Sequence, residues 1–146
     1  MKNFTRAVTV LVSSAALVGA SLMGAAGATA APGDVSEIGL AAGSTPRDVA
    51  VGPDNNLWVT GGISNTIAKV TTAGAVTAYA LPLPANVSDP WGIAAGPDGN
   101  MWFTELGGRI GRVTMTGVVT MFNVPWANSQ PHSIVEGPDG SSRMYF

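Results

Sequence analysis

The sequence contains no cysteine, which excludes disulfides as a source of stability and a thiol as a nucleophile. Charge is scarce as well: Asp, Glu, Lys and Arg make up 11% of the 146 residues, against roughly 25% in typical globular domains. Two of the seven basic residues, Lys2 and Arg6, stand at the extreme N-terminus, and without them five Lys and Arg face nine Asp and Glu, a net charge of −4. That balance excludes a nucleic-acid partner, whose phosphates require a basic face. Beyond residue 30 no segment places apolar residues at the 3.6-residue spacing of a helix, and His132 is the sole histidine. What the chain has instead is 19 Gly and 10 Pro, a composition of many tight turns and short strands.

The front of the chain differs from the rest. Lys2 and Arg6 precede an uncharged, apolar run over residues 7–26, and Ala28-Thr29-Ala30 follows it. A positive start, an apolar helix and small residues at −3 and −1 are what the export machinery and its peptidase bind. Residues 1–30 are therefore expected to be a signal-peptide helix cut after Ala30, leaving a secreted or extracytoplasmic protein with no membrane segment. The competing reading is a membrane anchor, since a run of about 20 apolar residues can span a bilayer; the small residues near its end favour cleavage.

From residue 31 onward the sequence repeats itself. Pro46-Arg47-Asp48-Val49-Ala50-Val51-Gly52-Pro53-Asp54 aligns with Pro90-Trp91-Gly92-Ile93-Ala94-Ala95-Gly96-Pro97-Asp98 and with Pro131-His132-Ser133-Ile134-Val135-Glu136-Gly137-Pro138-Asp139, at offsets of 44 and 41 residues. A second phrase, Asn56-Leu57-Trp58-Val59-Thr60, returns as Asn100-Met101-Trp102-Phe103-Thr104 and loosely as Arg143-Met144-Tyr145-Phe146. A third, Thr66-Ile67-Ala68-Lys69-Val70-Thr71 with Gly74-Ala75-Val76-Thr77-Ala78-Tyr79, returns as Arg109-Ile110-Gly111-Arg112-Val113-Thr114 with Gly117-Val118-Val119-Thr120-Met121-Phe122. Each period holds four runs rich in Val, Ile, Thr and aromatics, separated by turn signals. Four strands in about 40 to 50 residues make one propeller blade.

The expected fold is therefore all-β: a partial β-propeller over residues 31–146, about two and a half four-stranded blades starting near 46, 90 and 131, preceded by the signal-peptide helix. Closed propellers need about 4 to 8 blades, so this stretch is expected to be an N-terminal fragment that cannot close alone. Its unclosed blade edges offer a surface for self-association. In the Pro-Asp-Gly turn, Gly99 is expected to take a positive φ and Asp98 to accept backbone N–H bonds. Trp58 and Trp102 are expected to fill the wedges between blades.

The pattern Pro-X-Gly-Ile, Gly-Pro-Asp-Gly-Asn-X-Trp-Phe-Thr-Glu, Arg-Ile-Gly-Arg-Val-Thr and Gly-X-Val-Thr, best seen in residues 90–122, resembles the virginiamycin B lyase (streptogramin lyase) family. Residues 46–81 match with departures, and the segment from Pro131 matches the blade opening. The resemblance implies a seven-bladed propeller and a carbon-oxygen lyase that opens the ester ring of a small cyclic depsipeptide antibiotic by Mg2+-dependent elimination, without water, and so confers antibiotic resistance. It also implies site residues: two histidines, each directly after a proline at a blade opening, with glutamates and an N-terminal tyrosine.

His132, after Pro131, fits that pattern and is the candidate catalytic residue, an imidazole suited to base work or metal binding, the alternative being a surface or turn histidine; no cofactor-binding residue is assigned, and the metal ligands are not identified. The departures are specific. Gln130 stands where one of the family's histidine openings has Glu, Arg47 stands at the tyrosine position, and Trp91 takes the same place in the second repeat. Glu105 belongs to the common repeat phrase and reads as structural. The chain is accordingly expected to be inactive alone. The alternative function is a non-catalytic exported propeller that binds a protein, glycan or cell-wall ligand through its open face, since fold does not dictate function. A lactonase-type metal hydrolase would need a cluster of Glu, Asn and Asp ligands that the sequence does not display.

Overall fold

The computed structural model describes residues 9–11, 35–41, 43–82, 89–126, 128–138 and 140–146. The chain divides into two units, Met1–Ala42 and Gly43–Phe146. In the first, β1 (Thr9–Leu11) pairs in parallel with β2 (Val35–Glu37). Apart from the extended Thr9–Leu11, the expected signal-peptide helix, its cleavage site and the alternative membrane anchor lie outside the described residues.

The second unit is a partial β-propeller. Strands β3 (Val49–Val51), β4 (Leu57–Thr60), β5 (Thr66–Val70) and β6 (Val76–Ala80) pair antiparallel in chain order as one four-stranded blade. Strands β7 (Pro90–Ala95), β8 (Met101–Glu105), β9 (Arg109–Val113) and β10 (Val119–Asn123) repeat the arrangement. A two-stranded antiparallel sheet follows, β11 (Val135–Glu136) with β12 (Met144–Tyr145). The register is also repeated: Trp58 lies between Ala50 and Lys69, as Trp102 lies between Ala94 and Arg112.

The turns behave as their residues demand. Gly96 N–H donates to the Asn100 carbonyl at 2.8 Å, and Gly52 N–H to the Asn56 carbonyl at 2.8 Å. Gly99 adopts φ 72°, and in the first blade Asn55 takes that place at φ 57°, Asn being one of the few other residues that tolerate the left-handed region. Asp98 accepts from the Asn100 N–H at 3.2 Å and from the Trp102 indole N–H at 2.9 Å. Asp54 does the same with Asn56 at 3.2 Å and Trp58 at 3.0 Å. One carboxylate thus closes the turn and fixes the tryptophan four residues on. Partial desolvation works to raise the pKa of both carboxyls, but the hydrogen bonds, with Lys69 near Asp54 and Arg112 near Asp98, outweigh it and hold both below the usual value.

The core sits between the two complete blades. Trp58, Ile67 and Leu81 from the first cluster with Ile93, Met101, Phe103 and Val113 from the second. Trp58 is fully buried and stacks on Tyr79 with ring centroids 5.8 Å apart, filling the wedge as expected. Trp102 makes the same stack with Phe122 at 5.6 Å, but it is only half-buried because the neighbour on its far side is the short β11–β12 sheet.

Candidate functional site

The residue after each opening proline occupies an equivalent position in its repeat, so Arg47, Trp91 and His132 line up across neighbouring sheets. They form a ladder. The Arg47 guanidinium lies 4.2 Å from the centre of the Trp91 ring, and the His132 imidazole has its centroid 4.9 Å from that of Trp91 and its plane tilted by 59°. Arg47 is also ion-paired with Asp89 at 3.2 Å, both side chains about a third exposed. A cation held over an indole face is attracted by the ring's electron density, so Arg47 and Trp91 hold each other flat. Both ends of the stack, Arg47 and His132, are exposed.

Two buried threonines set this alignment. The Thr60 hydroxyl accepts from the Asp48 N–H at 3.0 Å and donates to the Trp91 carbonyl at 2.6 Å. Thr104 repeats the bridge, accepting from the Gly92 N–H at 2.8 Å and donating to the His132 carbonyl at 3.1 Å. In each case a hydroxyl on the second strand of one blade ties its own first strand to the opening of the next sheet. The bridge is needed at Gly92 because the β7–β8 register slips between Pro90 and Ile93, which takes that N–H out of the ladder. The Asp48 carboxylate adds another tie, accepting the Ile93 N–H at 2.9 Å. A Cβ on Gly92 would stand 2.5 Å from the His132 carbonyl oxygen, so glycine is what allows the third opening to approach this closely.

Glu105 is fully buried and committed to the fold. It accepts from the N–H groups of Asp89 at 3.2 Å and Gly107 at 2.9 Å and from the Arg109 guanidinium at 2.9 Å. Leu106–Gly108 border a polar cleft of about 410 Å³ that Asn128, Ser129 and Gln130 also line, immediately before His132 in the chain. The Ser129 hydroxyl oxygen is buried there without a hydrogen-bond partner among the described residues. Among those residues no three His, Asp or Glu side chains converge, so they do not by themselves make a set that fits magnesium. The arrangement supplies a base-type imidazole, an aromatic platform beside it, and a cation over that platform.

The sequence singled out Arg47, Trp91 and His132 one by one, and the fold stacks them. Thr60 and Thr104 were passed over, although each ends the shared Trp-X-Thr phrase, and that shared position was the available signal.

The sequence matches the Virginiamycin B lyase family over residues 15–146. It is 32% identical over 96 residues to the virginiamycin B lyase of Nocardia farcinica, an alignment covering 66% of this chain and 34% of that protein. A solved streptogramin B lyase structure superposes with a TM-score of 0.65 at 38% identity, covering 70% of this chain and 34% of its own. A catalytically inactive virginiamycin B lyase from Staphylococcus aureus, solved with quinupristin, superposes with a TM-score of 0.63 at 41% identity over 66% of this chain and 32% of that one. The chain thus spans about a third of the length of these relatives. Together with the blade repeat, these matches show that the chain belongs to the virginiamycin B lyase family.

Proposed function

We propose that these blades form part of a site that opens a cyclic depsipeptide ester by elimination, with His132 as the base. The observation that carries the reading is the Arg47–Trp91–His132 ladder at the three blade openings, anchored at its histidine end by Thr104. In such a step the imidazole removes a proton from the carbon next to the one bearing the ester oxygen. A carbon–carbon double bond forms, the carbon–oxygen bond breaks, and the oxygen leaves as a carboxylate. No water is consumed. Trp91 offers its half-exposed ring as a stacking surface for an aromatic side chain of the ligand.

Magnesium, which the family resemblance implies, would polarise the ester oxygen; no set of described residues holds it, and no step above passes through it. Because the match covers about a third of the relatives' length, the activity is proposed for a complete site to which this chain contributes, and the 146 residues alone are proposed to be inactive. Lys2, Arg6 and Ala28-Thr29-Ala30 support export, with cleavage after Ala30. The Trp91 platform also favours a second reading, a non-catalytic exported propeller that binds a protein, glycan or cell-wall ligand.

The test uses quinupristin, the ligand solved with the Staphylococcus aureus relative. Binding is followed by tryptophan fluorescence, and turnover with magnesium by liquid chromatography, which separates the ring-opened isomer, with mass spectrometry to show the unchanged mass that distinguishes elimination from hydrolysis. Binding that weakens in Trp91→Ala and His132→Ala supports the lyase reading. No turnover is expected of these residues alone, and absence of binding leaves the non-catalytic reading.

A further inference from the structure

We infer that Arg47 is the group that receives the leaving carboxylate in the elimination assigned to His132, with Asp89 tempering its hold; the inference rests on that reading of the site. Base and carboxylate acceptor are then placed by one indole. The Arg47 guanidinium carbon lies 4.2 Å from the Trp91 ring centre and the His132 imidazole centre 4.9 Å from it, so the two are no farther apart than those distances laid end to end. An elimination needs about that reach. With the base nitrogen about 3 Å from the carbon that loses its proton, about 2.5 Å from that carbon to the ester oxygen two bonds on, and about 3 Å from the oxygen to its donor, the span is about 8 Å.

Arg47 is the basic residue that directly follows an opening proline, and the fold holds it without using it up. Its tie to Asp89 is a single contact, one Nη to one carboxylate oxygen at 3.2 Å, with both side chains about a third exposed. That falls short of the two-pronged pairing a guanidinium makes with a fully engaged carboxylate. The second carboxylate oxygen, Asp89 Oδ1, is buried with no hydrogen-bond partner among the described residues. Gly62 completes the seat, since a Cβ there would stand 2.8 Å from the Arg47 Nε. A guanidinium carries five N–H donors, and among the described residues a side-chain hydrogen bond engages Arg47 only through the Asp89 contact.

The chemistry matches what such a cation offers. His132 takes the proton, the electron pair of the broken C–H bond becomes the second bond between the two carbons, and the pair of the broken C–O bond leaves on the carboxylate. Negative charge therefore develops on the ester oxygens during the step, and a positioned cation stabilises it more than it stabilises the neutral ester. Asp89 competes with that carboxylate for the same guanidinium, so the two residues of this ion pair act on the leaving group with opposite sign.

The test compares two ligands, cyclic quinupristin and its ring-opened acid made by alkaline hydrolysis of the ester, each titrated against the full chain by tryptophan fluorescence at fixed pH. The quantity read is the ratio of the two dissociation constants in each protein, so that general damage by a substitution cancels. Arg47→Gln is expected to lower the preference for the acid about tenfold. Asp89→Asn, which breaks the same ion pair, is expected to raise it about threefold or more, and a merely structural pair would not give opposite signs. The acid's binding to the unaltered protein should also weaken with added salt more than that of the ester. A preference unchanged in Arg47→Gln, or lowered in Asp89→Asn, overturns the inference and leaves the site reading in place; failure of both ligands to bind the unaltered protein overturns the site reading and the inference with it.

Discussion

Replacing Thr104 with Val keeps the shape of a fully buried side chain and deletes one hydroxyl. That hydroxyl serves two backbone groups, the Gly92 N–H at 2.8 Å and the His132 carbonyl at 3.1 Å. The N–H is buried beside a register slip and has no ladder partner to fall back on. Leaving such a donor unmade costs about 1–3 kcal/mol. The carbonyl is only part-buried, and water can partly replace the lost bond, so it adds about 0.5–1 kcal/mol. The expected loss is about 2–3 kcal/mol for Thr104→Val. Thr104→Ser keeps both bonds and gives up one methyl, a loss of about 1 kcal/mol. In urea unfolding monitored by tryptophan fluorescence, with a slope of about 1–1.5 kcal/mol/M for a unit of this size, the Val variant unfolds about 2 M earlier and the Ser variant less than 1 M earlier. Quinupristin binding should fall in the Val variant even in dilute urea, because the His132 backbone loses its anchor. A Val variant within about 0.5 kcal/mol of the unaltered protein, or a Ser variant as damaged as the Val one, would refute the reasoning.

Trp58→Ala empties a fully buried site at the blade interface and is expected to cost about 3–5 kcal/mol; Trp102→Ala, whose ring is half solvated, should cost clearly less in the same urea titration. Asp54 and Asp98 have folded pKa values held below 3.8, so their stabilisation is complete above that value and lost as pH falls through it toward the lower folded values. Urea midpoints between pH 2.5 and 6 should therefore drop at the acid end, and Asp54→Asn combined with Asp98→Asn should flatten that drop. Gly92→Ala places a Cβ 2.5 Å from the His132 carbonyl and is expected to cost about 1–3 kcal/mol and to separate the Trp91 and His132 rings, visible as a shift of the His132 ring proton resonances.

The repeat was legible because propeller blades carry their turn chemistry in consecutive residues. Gly-Pro-Asp-Gly-Asn-X-Trp encodes a turn, the carboxylate that closes it and the indole that the carboxylate holds, all within seven positions. The first blade shows the tolerance of that code, with Asn55 taking the positive φ that Gly99 takes in the second. Thr60 and Thr104 were harder to read, because a threonine in a Val-rich strand satisfies strand propensity, and only the neighbouring sheet reveals a hydroxyl that bridges two strands. The unequal burial of the tryptophans was hidden for a related reason: their phrases are nearly identical, and the difference lies in what packs against them.

Composition and spacing alone thus determined the all-β class, the four-stranded period, the turn geometry and His132 at a blade opening, since each depends on residues within one repeat. The tertiary structure decided that Arg47, Trp91 and His132 stack, that Gly92 must lack a side chain, and that Trp102 is half-buried where Trp58 is sealed. Those features join residues about 40 positions apart, and what brings them together is the packing of one blade on the next.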